Sequence, residues 1–232
     1  MTWTLGPIPD YLKQGMRRRF LDGLKNSYSL DTYELDLFRW FKRETENTWA
    51  QMDAEEQRYI HEQVETESEE INDSGFLAVG YYRKRMRSSH VIFLASLLES
   101  AMKRECDRVV HAMGEQTLFK PADLKGDTWS TRRIFLEKYG SFKLPTSLWD
   151  PIKDLLAVRN ALVHHSGDMF LLTKEQISRL NKISGISVDS CEVEIDENYV
   201  DHAIDSVRDV MEYLHEKTNA LIERAISPKA IP

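Results

Sequence analysis

Apolar positions recur at helical spacing along most of this chain. Val200, Ile204, Val207, Met211, Leu214 and Leu221 step down one face at intervals of three, four and seven. They predict an amphipathic helix over about 197–225. Val91, Leu94, Leu98, Ala101, Met102 and Val109 predict a second, over about 76–113. Ile152, Leu155, Leu156, Val158, Leu162 and Val163 make a third segment apolar on more than one side, which predicts a central place in a bundle. Two residues are candidate caps for that helix: Ser147, and Asp150 with Pro151 behind it at the first helical position. Gly167 should end it.

Shorter segments complete the pattern. Residues 1–9, with Gly6, Pro7 and Pro9, read as an irregular arm, followed by a helix over about 10–25. A long helix over about 31–70 takes its apolar side from Leu35, Leu37, Phe38, Phe41 and Trp49 and ends in an acidic stretch that is solvent-facing or frayed. Asn72-Asp73-Ser74-Gly75 breaks the chain. A helix over about 130–139 should be closed by Gly140, and one within 172–184 capped by Thr173. Alternation at 186–189 and 191–195 suits two short strands or an extended loop. The expected fold is all-α: an up-and-down helical bundle with short accessory helices and a small two-stranded element near 186–195. Residues 1–75 form an arm and helices packing on the bundle, and 76–232 a helical domain, continuous with it overall.

Composition narrows the partners. The chain is 41% hydrophobic and 30% charged, which suits a globular domain with a real core. No apolar run is long enough to span a bilayer, and no leader pattern is present, so a cytoplasmic protein without membrane attachment is expected. Cys106 and Cys191 form no metal pattern; Cys106, in an apolar helix, reads as a buried thiol in a reducing compartment. A net charge of −7 argues against coating nucleic acid through overall charge. Local basic clusters remain, Arg17-Arg18-Arg19 and Arg83-Lys84-Arg85-Met86-Arg87, the second beside Tyr81 and Tyr82. Arg83, Arg85 and Arg87 are candidate RNA contacts with stacking tyrosines; the other reading is a solvated helix face over two core tyrosines.

The chemistry concentrates in Arg159-Asn160-Ala161-Leu162-Val163-His164-His165, where the central helix ends. A fixed cation can neutralise phosphate, and an imidazole can move protons near neutral pH. The plain alternative is that Arg159 and His164 are last-turn residues favoured by the helix dipole. Asn160 and His164, four apart, share a face, whereas Arg159 lies about 140° around the helix from His164. A second group lies on the 76–113 helix. Glu99 and Lys103 are spaced for an ion pair at the edge of the apolar stripe, with Arg104 next to them.

Leu98-Glu99-Ser100-Ala101-Met102-Lys103-Arg104 resembles the Glu-x3-Lys-Arg pattern of certain HEPN proteins (higher eukaryotes and prokaryotes nucleotide-binding domain), and Arg159-Asn160-x3-His164 resembles that family's Arg-x(4–6)-His motif. The order of the two motifs fits too, over about residues 76–225. The resemblance implies a metal-independent endoribonuclease without cofactor, a toxin or antiviral effector in which the RNA 2′-hydroxyl attacks the adjacent phosphodiester. It implies His164 as base or acid, with His165 as the alternative imidazole. Arg159 would stabilise the transition state, Asn160 would orient the imidazole or bind phosphate, and Glu99 and Lys103 would support the site. Arg104 joins the RNA contacts. A homodimer and a neutralising protein partner are expected. The other reading is a non-catalytic helical binding or dimerisation module of the same family.

Overall fold

The computed structural model describes residues 10–26, 32–65, 74–114, 121–123, 126–189 and 191–227. They form α1 (Asp10–Asn26), α2 (Thr32–Glu65), α3 (Ser74–Met113), α4 (Thr128–Tyr139), α5 (Thr146–His165), α6 (Lys174–Leu180) and α7 (Glu197–Ile226). Between α6 and α7, β1 (Ile186–Asp189) and β2 (Glu192–Ile195) pair antiparallel, with Ile186 opposite Ile195 and Asp189 opposite Glu192. The fold is all-α with a small hairpin, so the alternating segments are strands rather than an extended loop. The expected arm at 1–9 and the acidic residues 66–70 lie outside the described residues.

Two compact units share the chain. One takes Met1–Asp31, Glu99–Pro145 and Met211–Pro232; the other takes Thr32–Leu98 and Thr146–Val210. The division is interleaved rather than a linear cut near residue 75, and α3 and α7 contribute to both units.

In the 32–98/146–210 unit, Val91, Leu94 and Leu98 of α3, Ile152, Leu155 and Val158 of α5, and Val200, Ile204 and Val207 of α7 are all buried. Leucines of this kind each contribute about 1.5–3 kcal/mol by leaving water. The inward face of α2 is unlike the expected one. Leu35 is buried, but Leu37 and Phe41 are 47% exposed, and the buried positions one and two turns beyond Phe38 are Lys42 and Glu46. Buried charges must be paired, and these are. Lys42 Nζ donates to Asp201 at 2.9 Å and to Glu197 at 3.1 Å. Arg87 clasps Glu46 with both arms, Nε–Oε1 2.6 Å and Nη2–Oε2 2.7 Å, and its Nη1 donates to the Ile195 carbonyl.

α5 starts at Thr146, directly after Pro145, so neither Ser147 nor Asp150 is its cap. Pro151 lies one turn deeper than proline prefers, and the Asp150 carboxylate pairs with Lys153 instead. Ser166 (φ 54°) and Gly167 (φ 73°) both take the left-handed conformation that reverses the chain. The Gly167 N–H donates back to the Ala161 carbonyl at 3.1 Å, and Asp168 N–H to the His165 carbonyl at 2.8 Å. The segment is then tied to the hairpin: Met169 N–H donates to Cys191 O and Val193 N–H to Gly167 O, both at 2.8 Å.

In the other unit, Leu21, Met102, Cys106, Val109, Phe135, Leu136, Leu214 and Ile222 form the core. Asp127 caps α4, accepting from the N–H groups of Trp129 and Ser130; the Ser130 side chain first, and then these backbone bonds, hold its carboxyl below the usual range. Gly140 does follow α4, but at φ −71° it is not the left-handed residue; Ser141, at φ 59°, is. Gly140 is needed for space, because a Cβ there would come within 2.4 Å of the Leu136 carbonyl and the Phe142 ring.

Candidate active site

The last two turns of α5 carry Arg159, Asn160, His164 and His165. His164 and Asn160 are exposed, and Arg159 and His165 half-buried. Arg159 Nη1 donates to Asn160 Oδ1 at 3.0 Å. The amide oxygen expected to orient His164 is therefore engaged by the guanidinium. Among the described residues no carboxylate is bonded to this guanidinium.

The surroundings make that contact informative. In the same unit Arg39, Arg43, Arg83, Arg85, Arg87, Arg179 and Arg208 each meet a carboxylate: Asp205, Glu44, Asp53, Glu192, Glu46, Asp154 and Asp36 respectively. Among the described arginines of the unit, Arg58 and Arg159 do not, and Arg58 donates to its own helix at Ala54. Among the described residues Arg159 thus meets no carboxylate, and it shares the last turns of α5 with an exposed imidazole, at a helix end held by the hairpin. Such a guanidinium has donors to offer a planar or tetrahedral oxyanion.

The basic cluster on α3 has a different disposition. Arg83 and Arg87 are ion-paired and partly buried: Arg83 ties α3 to α2 through Asp53, and Arg87 ties it to α2 through Glu46 and to the hairpin through the Ile195 carbonyl. Lys84 and Arg85 are more exposed and reach Glu194 and Glu192. Arg85 also lies 5.2 Å from the centre of the Tyr81 ring, and Tyr81 and Tyr82 meet edge to face. Both tyrosines are more than half exposed, so the expectation that they belong to the core is corrected.

Glu99, Lys103 and Arg104 lie in the other compact unit. The expected Glu99–Lys103 pair does not form. Glu99 Oε1 instead accepts from Arg132 Nη1 of α4 at 3.1 Å, and the same nitrogen donates to the Glu99 carbonyl at 3.2 Å. A guanidinium that satisfies side chain and backbone together is a better partner than a flexible ammonium. Lys103 is exposed and Arg104 half-buried. Cys106 is buried, and loss of solvation pushes its thiol up to about 12, which makes it inert.

Three polar groups escaped the sequence reading. Arg132 is one. The second is a buried set in which Arg108 Nη1 donates to both Glu105 oxygens (3.0 and 2.8 Å) and lies 3.0 Å from His215 Nδ1, while Nη2 donates to Asn219. The same His215 Nδ1 lies 3.4 Å from Glu105 Oε1, so the imidazole faces both members of the pair. The third is His90, 3% exposed among Phe38 and Phe41, with no hydrogen bond to either ring nitrogen among the described residues. Spacing was the available signal: 105/108 and 215/219 repeat at one helical turn inside apolar stripes, as do 42/46.

Among the described residues no three His, Cys, Asp or Glu side chains are grouped to hold a metal ion, and no helix is long and apolar enough to cross a membrane. Comparison with protein-family models, with curated proteins and with solved structures finds no match.

Proposed function

We propose that this protein is a metal-independent endoribonuclease whose site is the C-terminal end of α5. The observation that carries the reading is that Arg159, which meets no carboxylate among the described residues, shares the last turns of α5 with the exposed His164, in a unit whose other arginines, Arg58 apart, are tied to carboxylates. The reaction type rests on the resemblance of the two motifs to HEPN ribonucleases.

In this mechanism His164 takes the proton of the RNA 2′-hydroxyl, and the resulting oxygen attacks the adjacent phosphorus. The bond to the 5′-oxygen breaks, leaving a 2′,3′-cyclic phosphate. A second imidazole, His165 or the His164 of another copy, protonates the leaving oxygen. General acid–base catalysis of this kind contributes about 10²–10⁴ in rate. Arg159 binds the equatorial oxygens as negative charge builds on them. A homodimer would bring two such helix ends together. A cytoplasmic toxin or antiviral effector with a neutralising protein partner is the matching biological role.

A non-catalytic binding module is the second reading. It is favoured by Val163, Phe170 and Leu171, which are 43%, 74% and 58% exposed on or just after α5 and offer an apolar face for a partner.

Incubation of purified protein with total RNA in EDTA separates the two. The nuclease reading expects fragments with cyclic-phosphate ends from the wild type and intact RNA with folded His164→Ala protein. Equal cutting by both proteins, or none by either, overturns it.

A further inference from the structure

We propose that a cleft between α2 and the start of α3 is a binding site for an organic cation of the alkylated-ammonium class. The cleft encloses about 570 Å³, within the range of small-molecule sites. Trp49, Met52 and Tyr59 of α2 and Tyr82 of α3 line it, with Glu55 and Glu56. All lie in one compact unit.

Each wall suits such a ligand. Aromatic faces attract a cation through the ring quadrupole, tryptophan most strongly, and a thioether adds polarisable contact. Alkylation removes most of the hydration that keeps a simple ammonium in water, so the apolar lining costs the ligand little. Glu55 and Glu56 supply the complementary charge. Neither forms an ion pair among the described residues, although Asp53 on the same helix is paired with Arg83. Among the described residues no lysine, arginine or histidine lines the cleft, so this lining offers a bound cation no competing charge.

Two features argue against a merely leftover gap. Tyr59 and Tyr82, on facing helices of one cleft, are 45% and 60% exposed, so both rings are accessible to a ligand from solution. The Tyr82 ring is also braced, edge to face, by Tyr81 at 5.5 Å. The carboxylates choose among occupants. A neutral apolar ligand would leave them idle, an anion would be repelled, and an inorganic cation would find too few oxygen ligands. The inference is independent of the nuclease reading.

The test is titration of the full chain with choline and, in parallel, with 3,3-dimethyl-1-butanol, its uncharged carbon isostere. Binding is read from indole fluorescence and by calorimetry. Choline should bind saturably and about tenfold more tightly than the isostere. Tyr82→Ser and Glu55→Gln/Glu56→Gln, all at positions not fully buried, should each weaken choline several-fold while leaving the helical signal unchanged. A trimethyl-lysine peptide and its unmodified counterpart form a second arm. Preference for the modified peptide over choline assigns the source to a protein side chain, and preference for choline assigns it to a free small molecule. Equal affinity for choline and its isostere, no saturation by choline, or indifference to both variants overturns the proposal.

Discussion

Single side chains decide most of what is chemically distinctive here. Arg159 differs from the unit's carboxylate-paired arginines because its hydrogen-bond partner is a neutral amide, Asn160. On the nuclease reading, Arg159→Lys should therefore lower cleavage nearly as much as Arg159→Ala. A lysine keeps the charge but loses the planar fork, so rescue to near wild-type rates in a gel assay would contradict the role given to the guanidinium. His90 makes a different prediction. Burial pushes its pKa from 6.5 down to about 4, with Lys42 and Arg87 adding to the effect and Glu46 opposing it. Between those values the unfolded chain holds a proton that the folded chain refuses. Stability must therefore fall as pH drops from about 6.5 through 4, by up to about 3 kcal/mol from this group. His90→Leu should flatten that part of the acid limb in denaturant melts at stepped pH. An unchanged slope would show that other groups carry it.

At the scale of the element, helix ends and turns place the candidate site. α6 is capped by Thr173 through a reciprocal box with Gln176, as its sequence predicts. The turn before β1 depends on Gly185, at φ 79°, where an added Cβ would lie 2.9 Å from Tyr199 Cβ. Gly185→Ala therefore meets both backbone strain and overpacking and should destabilise by about 1–3 kcal/mol. A neutral result in chemical denaturation would mean that Tyr199 gives way. Asp127→Ala should cost about 1 kcal/mol through the N-terminus of α4. Because bonds to the ionised carboxylate hold its pKa down, that cost should shrink as pH falls through the carboxylate range. A difference unchanged between pH 7 and pH 3 would point to packing instead.

For the molecule as a whole, charge contributes more to internal organisation than a net value of −7 suggests. Lys42, Glu46, Glu105 and Arg108 are all less than 9% exposed, and each is matched within its own unit. Breaking a buried pair by removing one partner typically costs about 3–5 kcal/mol, because the other charge is left in a dry site. Arg108→Met should fall in that range, whereas exposed pairs such as Lys25–Glu223 should contribute under about 1 kcal/mol. Comparison of denaturation midpoints for Arg108→Met and Lys25→Met would check the contrast, and similar losses in both would refute it. A continuous α3 and α7 serve both units, so the helical signal should be lost in one transition rather than two.

What the chain determines by itself is local. Periodicity placed α3, α5 and α7 to within a few residues, because an amphipathic repeat is sampled at every turn of a long helix. The Thr173 cap and the short paired strands were legible for the same reason: their bonds run between near neighbours. The Arg159–His164 motif and the Glu99 motif were visible as spacings. What tertiary structure decided is which partner each polar group meets. Glu99 pairs with Arg132, thirty-three residues away, and not with Lys103. Arg83 and Arg87 belong to Asp53 and Glu46. The inward face of α2 carries two charges, Lys42 and Glu46, beside Leu35 and Phe38, while Leu37 is largely exposed. A hydrophobic stripe needs only water to orient it. An ion pair needs a second charge at a definite distance, and that distance exists only once the helices have packed.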